Sequence, residues 1–282
     1  MEPAALLKLL IVGSIVLFVL SIGLDAPPRS LRAGLRQRAA VGRSMLAMFV
    51  LVPAFTLAIT FLLPLDPAAR AALLALSVSP VPPILPAKET RLGGDIALAL
   101  ARLVAAGLAC LIAAPLLIAI AGLILGRELG SDPAAIARTV LVTILLPLGA
   151  GIALAAMAPG PAARAASTLR RLATLLLGLG FGVLLLKAAP GILAVATGPA
   201  MLAIALMTAF GLAVGHWLGG PDPGSRRGLA IATASRHPGV AIGLAAATEI
   251  AARQPVVAVV LLYLVAGAIL SQPYLRWAKG QS

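Results

Sequence analysis

Ser79-Pro80-Val81-Pro82-Pro83 and Ser235-Arg236-His237-Pro238-Gly239 each interrupt, near its midpoint, an apolar run long enough to cross a bilayer. Proline has no backbone donor and its ring clashes with the preceding turn, so each run reads as two half-helices joined at bilayer depth. Irregular backbone is tolerated at that depth only where it is buried in protein or lines a wet cavity. Two such interruptions at corresponding positions are the pattern of a solute-binding site, because half-helix ends and freed backbone groups converge there.

Outward from these breaks the chain is apolar. Of its 282 residues 61% are hydrophobic and 11% charged, and the mean hydropathy is +1.08, which leaves too little polar surface for a soluble domain. The apolar runs are 4–24, 40–63, 68–91 (broken), 95–126, 134–158, 167–188, 190–219, 227–249 (broken) and 252–276. The chain is therefore predicted to be all-α, a polytopic membrane protein of about nine transmembrane helices with the lipid bilayer as its solvent. The first run precedes a dense basic stretch and is read as a helix, not a signal peptide.

The net charge of +13 does not point to nucleic acid, because the basic residues sit in short gaps between apolar runs. Fourteen of them, including Arg29, Arg32, Arg36, Arg38, Arg43, Lys88 and Arg91, fall in one set of loops, and six, including Lys8, Arg70 and Arg127, in the other. That bias places the amino terminus outside and the carboxyl terminus in the cytoplasm, in a bacterial inner membrane.

The runs also repeat. A shift of 156 residues lays runs one to four on runs six to nine and puts Pro80 on Arg236 and Pro82 on Pro238. Partners are five runs apart, so each pair crosses in opposite directions, an inverted repeat. One transporter unit over 1–282 follows: a first repeat of about 4–126, an unpaired helix at 134–158 and a second repeat of about 167–278.

The stretch Thr233-Ala-Ser-Arg-His-Pro-Gly-Val-Ala-Ile242, together with Ser79-Pro80 and Gly93-Gly94-Asp95-Ile-Ala-Leu98, resembles the bile acid:sodium symporter family. The resemblance implies a panel domain and a core domain, two broken helices crossing in the core, and movement of organic anions coupled to sodium. Sodium-binding members carry a Ser-Asn pair after the first break, and a Glu and a Gln four residues apart at the second. Aligned on Gly94-Asp95 and Gly239, this chain has Leu85 and Pro86, then Ala232 and Arg236, at those positions. A hard cation wants oxygen ligands, so transport is expected not to depend on sodium.

Arg236 is the costliest residue of the sequence, at about 3 kcal/mol for a charge at the bilayer centre. No acidic residue is placed to pair with it; Glu249 lies 13 residues on, about 20 Å along a helix. Two roles stay open: attraction of an anionic substrate to the guanidinium fork, and donation to carbonyls freed by the break. His237 is read either as a proton-linked switch, which would couple transport to protons, or as a neutral ring bonded to backbone. The predicted substrate-binding set is Ser79, Pro80, Pro82, Pro83, Ser235, Arg236, His237, Pro238 and Gly239. Arg102, seven residues into its run, is expected to snorkel to the inner face.

Other chemistry is thinly supported. Leu92-Gly93-Gly94-Asp95 lacks the first glycine and the second aspartate of an intramembrane aspartyl protease. The single Cys110 offers no disulfide framework, and no metal-ligand or cofactor motif is present. The chain is thus not expected to be an enzyme. It reads as a secondary transporter of a small organic anion by alternating access, with a non-transporting scaffold or sensor as the alternative.

Overall fold

A computed structural model describes residues 3–27, 29–125, 132–247 and 253–279. Arg127 and Glu249 lie outside the described residues, as do the expected ends of the runs at 126, 249 and 252. Among the described residues seven helices are long and apolar enough to cross a membrane. The two interrupted runs are instead pairs of short helices, as the prolines require.

In chain order the helices are α1 (Pro3–Asp25), α2 (Ser30–Arg36), α3 (Arg38–Leu62), α4 (Pro67–Val78), α5 (Leu85–Arg91), α6 (Ile96–Leu125) and α7 (Pro133–Met157). There follow α8 (Pro159–Val195), α9 (Gly198–Leu218), α10 (Pro223–Ala234), α11 (Pro238–Ala247), α12 (Arg253–Leu270) and α13 (Gln272–Lys279). Three of them start with one device, an Asp-Pro pair. Asp66, Asp132 and Asp222 accept the N–H of Ala69, Ala135 and Ser225 at 2.9, 2.9 and 2.6 Å, and the proline after each occupies a position whose N–H has no helical partner. Both α3 and α7 widen into a π turn, Ala47–Leu51 and Leu141–Leu145, just before Pro53 and Pro147, which makes room for the ring and its missing donor.

The boundary between runs six and seven falls elsewhere than expected. Helix α8 continues through Pro190 to Val195, and the chain breaks at Ala196-Thr197, where Thr197 Oγ1 accepts from Ala200 N at 3.4 Å and Pro199 opens the next helix. A cap plus an early proline is a stronger stop than one interior proline. Helices α4 and α10 start 156 residues apart, at 67 and 223, as do α1 and α8 at 3 and 159; α3 and α9 end at 62 and 218.

Helices α1, α7 and α8 pack on one another. Gly23 and Gly151 let α1 and α7 approach closely: a Cβ on Gly151 would lie 2.8 Å from the Gly23 Cα, the small-residue contact of membrane helices. The remaining helices enclose a crossing of the two broken spans, in which α4 packs on α11 and α5 on α10. Helix α12 braces the crossing and touches α8.

Between α5 and α6, Gly93 takes φ +82°, a left-handed turn that glycine adopts without strain. Asp95 then caps α6 through Ala97 N at 2.8 Å and accepts from Gln37 Nε2 at 2.9 Å. The Gly-Gly-Asp stretch is thus a turn and a helix cap. Arg102 corrects an expectation outright. It is 2% exposed, donates from Nε to Ser44 Oγ at 3.0 Å, and is ion-paired through Nη1 with Glu89 Oε2. The short half-helix α5 delivers Glu89 to it, and Gly228 on α10 leaves the space, since a Cβ there would lie 2.9 Å from Glu89 Oε2.

Candidate functional site

The two breaks bind each other through groups that the prolines set free. Helix α4 ends at Ser79, whose Oγ donates to Leu76 O at 2.9 Å, and the prolines that follow have no N–H to claim the last carbonyls. Those carbonyls face the second break: Pro80 O accepts the His237 N–H at 2.8 Å, and Ser79 O accepts from Arg236 Nη1 at 3.4 Å. On the second break, Ala234 O accepts from Tyr263 Oη on α12 at 2.8 Å. His237 caps α11, its Nδ1 accepting from Val240 N at 3.4 Å, so the neutral ring carries its hydrogen on Nε2.

What remains unbonded is more informative than what is bonded. Arg236 is fully buried and His237 is 2% exposed, yet Arg236 Nε and Nη2 and His237 Nε2 have no hydrogen-bond partner among the described residues. No carboxylate pairs with Arg236 there either; the two ion pairs of the described residues are Arg102–Glu89 and Arg170–Asp25.

These groups line a cavity of about 670 Å³. Pro82, Pro83, Ser235, Arg236, His237 and Pro238 form one wall; Ile15 and Phe18 of α1 with Thr174, Leu177 and Phe181 of α8 form the other. Of the predicted set, Ser79 and Pro80 lie behind the wall and hold it through their carbonyls, and Gly239 is exposed on α11 without lining the cavity. The cavity also takes in residues that the sequence did not single out: Lys88 and Arg91 of α5, Tyr263 of α12 and Gln272 of α13. Tyr263 had a visible signal, as the lone hydroxyl in Val259-Val-Leu-Leu-Tyr263-Leu-Val265. Among the lining residues the charged ones are Lys88, Arg91 and Arg236, all cationic.

The positions where sodium ligands are expected are apolar. Leu85 and Ala232 are fully buried and Pro86 is buried, and none carries a side-chain oxygen. No group of three or more His, Cys, Asp or Glu that could hold a metal ion occurs among the described residues.

Among curated proteins none matches this chain. The model of the Sodium Bile acid symporter family matches residues 13–195, from α1 to the end of α8 and across the first break. That is well over half of the chain and agrees with an all-helical polytopic membrane protein. The chain belongs to the sodium bile acid symporter family, a family of membrane transporters.

Proposed function

We propose that this protein is a secondary transporter of a small organic anion that works by alternating access and does not require sodium. The observation that carries the reading is the set of buried donors of two cavity-lining residues, Arg236 Nε and Nη2 and His237 Nε2, that no described residue hydrogen-bonds. Leaving a buried donor unmet costs about 1–3 kcal/mol. A carboxylate or sulfonate supplies acceptors for all three and balances the guanidinium charge, for which the planar fork is well shaped. Arg236 serves both roles open to it: Nη1 holds the first break and the other nitrogens face the anion. His237 Nε2 is the group through which a proton gradient would act on the bound anion.

The cavity lies between the α1–α7–α8 group and the crossing, which supports rocking of one against the other around a site that stays fixed. The offset of 156 residues between helix boundaries supports an inverted repeat of about 4–126 and 167–278 around the unpaired 134–158. With nine crossings and the basic loops inside, the amino terminus is external and the carboxyl terminus cytoplasmic.

The test is uptake and efflux in proteoliposomes over a panel of organic anions, with a sodium gradient, a proton gradient and neither. At least one anion should move, and its transport should persist when choline replaces sodium at constant membrane potential. Loss of transport in choline overturns the sodium independence. Failure of every anion to move overturns the carrier reading in favour of a scaffold or sensor.

A further inference from the structure

The donors at the second break account for one anionic group, and two other cations of the same cavity are left over. Lys88 and Arg91 both line it, and the side chain of neither is ion-paired or hydrogen-bonded to any described residue. They stand three residues apart on α5 and so share one helix face, while Glu89 between them turns to Arg102. Arg236 is sealed inside the protein, whereas Lys88 and Arg91 are exposed, so the two groups of cations mark an inner and an outer end of one cavity. Lys88 and Arg91 are the fourth and seventh residues of α5, which begins two residues past Pro83, so at about 1.5 Å per residue they stand roughly 5 and 9 Å along its axis beyond Leu85. The wall facing them is apolar, with Phe18, Leu177 and Phe181.

We infer that the ligand of this cavity is an elongated dianion. One anionic group sits at Arg236 and His237, an apolar body lies against Phe18, Leu177 and Phe181, and a second anionic group sits at Lys88 and Arg91 about 10 Å away. The inference rests on the anion-binding reading of the Arg236 site and adds a length and a second charge to its substrate. A monoanion would leave a pair of neighbouring cations repelling each other at the cavity mouth; a dianion relieves that repulsion. Because Lys88 and Arg91 are exposed, screening limits their gain to about five- to tenfold in affinity.

The experiment is titration calorimetry of the purified full-length protein in detergent with rigid aromatic acids. Biphenyl-4,4′-dicarboxylate has the required reach; biphenyl-4-carboxylate keeps the body and one charge; benzene-1,4-dicarboxylate keeps two charges but is too short to span. Biphenyl dicarboxylate should bind about five- to tenfold tighter than the biphenyl monocarboxylate, and the short dicarboxylate should show no such advantage over benzoate. Replacing both cations, Lys88→Gln with Arg91→Gln, should bring the long dicarboxylate down to the affinity of the monocarboxylate without lowering the thermal midpoint of the ligand-free protein. Equal affinities in the parent, or an advantage that survives the double variant, overturns the dianion while the anion site stands, provided that Arg236→Gln weakens binding of the monocarboxylate about a hundredfold. If Arg236→Gln leaves both biphenyl acids unaffected, or neither binds the parent, the reading of the site falls and the inference with it.

Discussion

Arg102 and Arg236 are buried almost equally, at 2% and 0% exposure, and their surroundings are opposite. Arg102 meets Glu89 of α5 and Ser44 of α3 from its own place on α6, with Gly228 of α10 making room. Four helices, α3, α5, α6 and α10, close on that one guanidinium. Arg236 has one long bond to a carbonyl, the Tyr263 hydroxyl close by, two nitrogens without a hydrogen bond and an open cavity beside it. A buried cation paired with a carboxylate joins the structure together, even though Glu89 Oε1 is left without a hydrogen-bond partner among the described residues. One with unmet donors in a residue that lines a cavity is, on the function proposed above, held ready for an anion that arrives from solution.

The largest effect should come from breaking the accompanied pair. Glu89→Gln leaves Arg102 a buried, uncompensated charge, which costs about 3–5 kcal/mol, so the thermal midpoint of the purified protein should fall steeply. Replacing both partners with hydrocarbon, Glu89→Met with Arg102→Met, should recover most of the loss, because a buried pair and apolar groups of similar volume are close to equal in stability. Equal losses in the single and double variants would refute the description of Arg102 as a paired joint.

Arg236→Gln should do the reverse. The ligand-free protein loses one hydrogen bond of 3.4 Å, worth about 1 kcal/mol at most, and is freed of a costly buried charge, so its midpoint should hold or rise. Anion affinity should fall about a hundredfold, the weight of roughly two charge-assisted hydrogen bonds. Arg236→Lys keeps the charge without the fork and should lie between. Ligand-induced stabilisation measures this. If Arg236→Gln is as unstable as Glu89→Gln yet gains full stabilisation from the anion, the two arginines are alike and the comparison collapses.

The sequence reveals one arginine better than the other, for a physical reason. Arg236 stands in a run broken by Pro238, so its isolation at mid-bilayer is visible in a linear reading, and so is the Ser79-Pro80 break that meets it. The partners of Arg102 come from three other segments. Glu89 is 13 residues away, past a turn made by Gly93, and Ser44 is 58 away; only the packing of α3, α5, α6 and α10 brings them together. The same limit explains why Lys88 and Arg91 read as topology signals alone, since their facing the cavity follows from how α5 docks on α10. The runs begin within a residue of the helix starts at Asp66-Pro67 and Asp132-Pro133, whereas α10 begins at Pro223, four residues before the run expected at 227. A helix end was misread at Pro190, where a lone proline is tolerated inside a long helix.

The smallest effect tests a feature that touches neither arginine directly. Asp222 caps α10, the helix that leads into the Arg236 break, and its carboxyl is held below the usual carboxylate range, first by the backbone N–H of Ser225 and then by that residue's hydroxyl. A value lowered in the folded protein stabilises it fully above the unfolded value of about 3.9, and the contribution fades as pH falls through the lowered value. Asp222→Asn keeps a good capping acceptor and removes the charge. The loss near neutral pH should therefore be only the charge–dipole part, about 0.3–1 kcal/mol at an exposed helix start. Thermal midpoints of parent and variant, compared from about pH 6 down to about pH 3, should converge as the acid limit is approached. The variant should bind the anion as the parent does, because the cap sits a full helix away from the donors of Arg236. A stability difference that stays constant over that range would show that the Asp222 charge does not contribute through the cap. A loss of anion binding would instead mean that the start of α10 sets the geometry of the break, and that the Arg236 site depends on its scaffold as closely as Arg102 does.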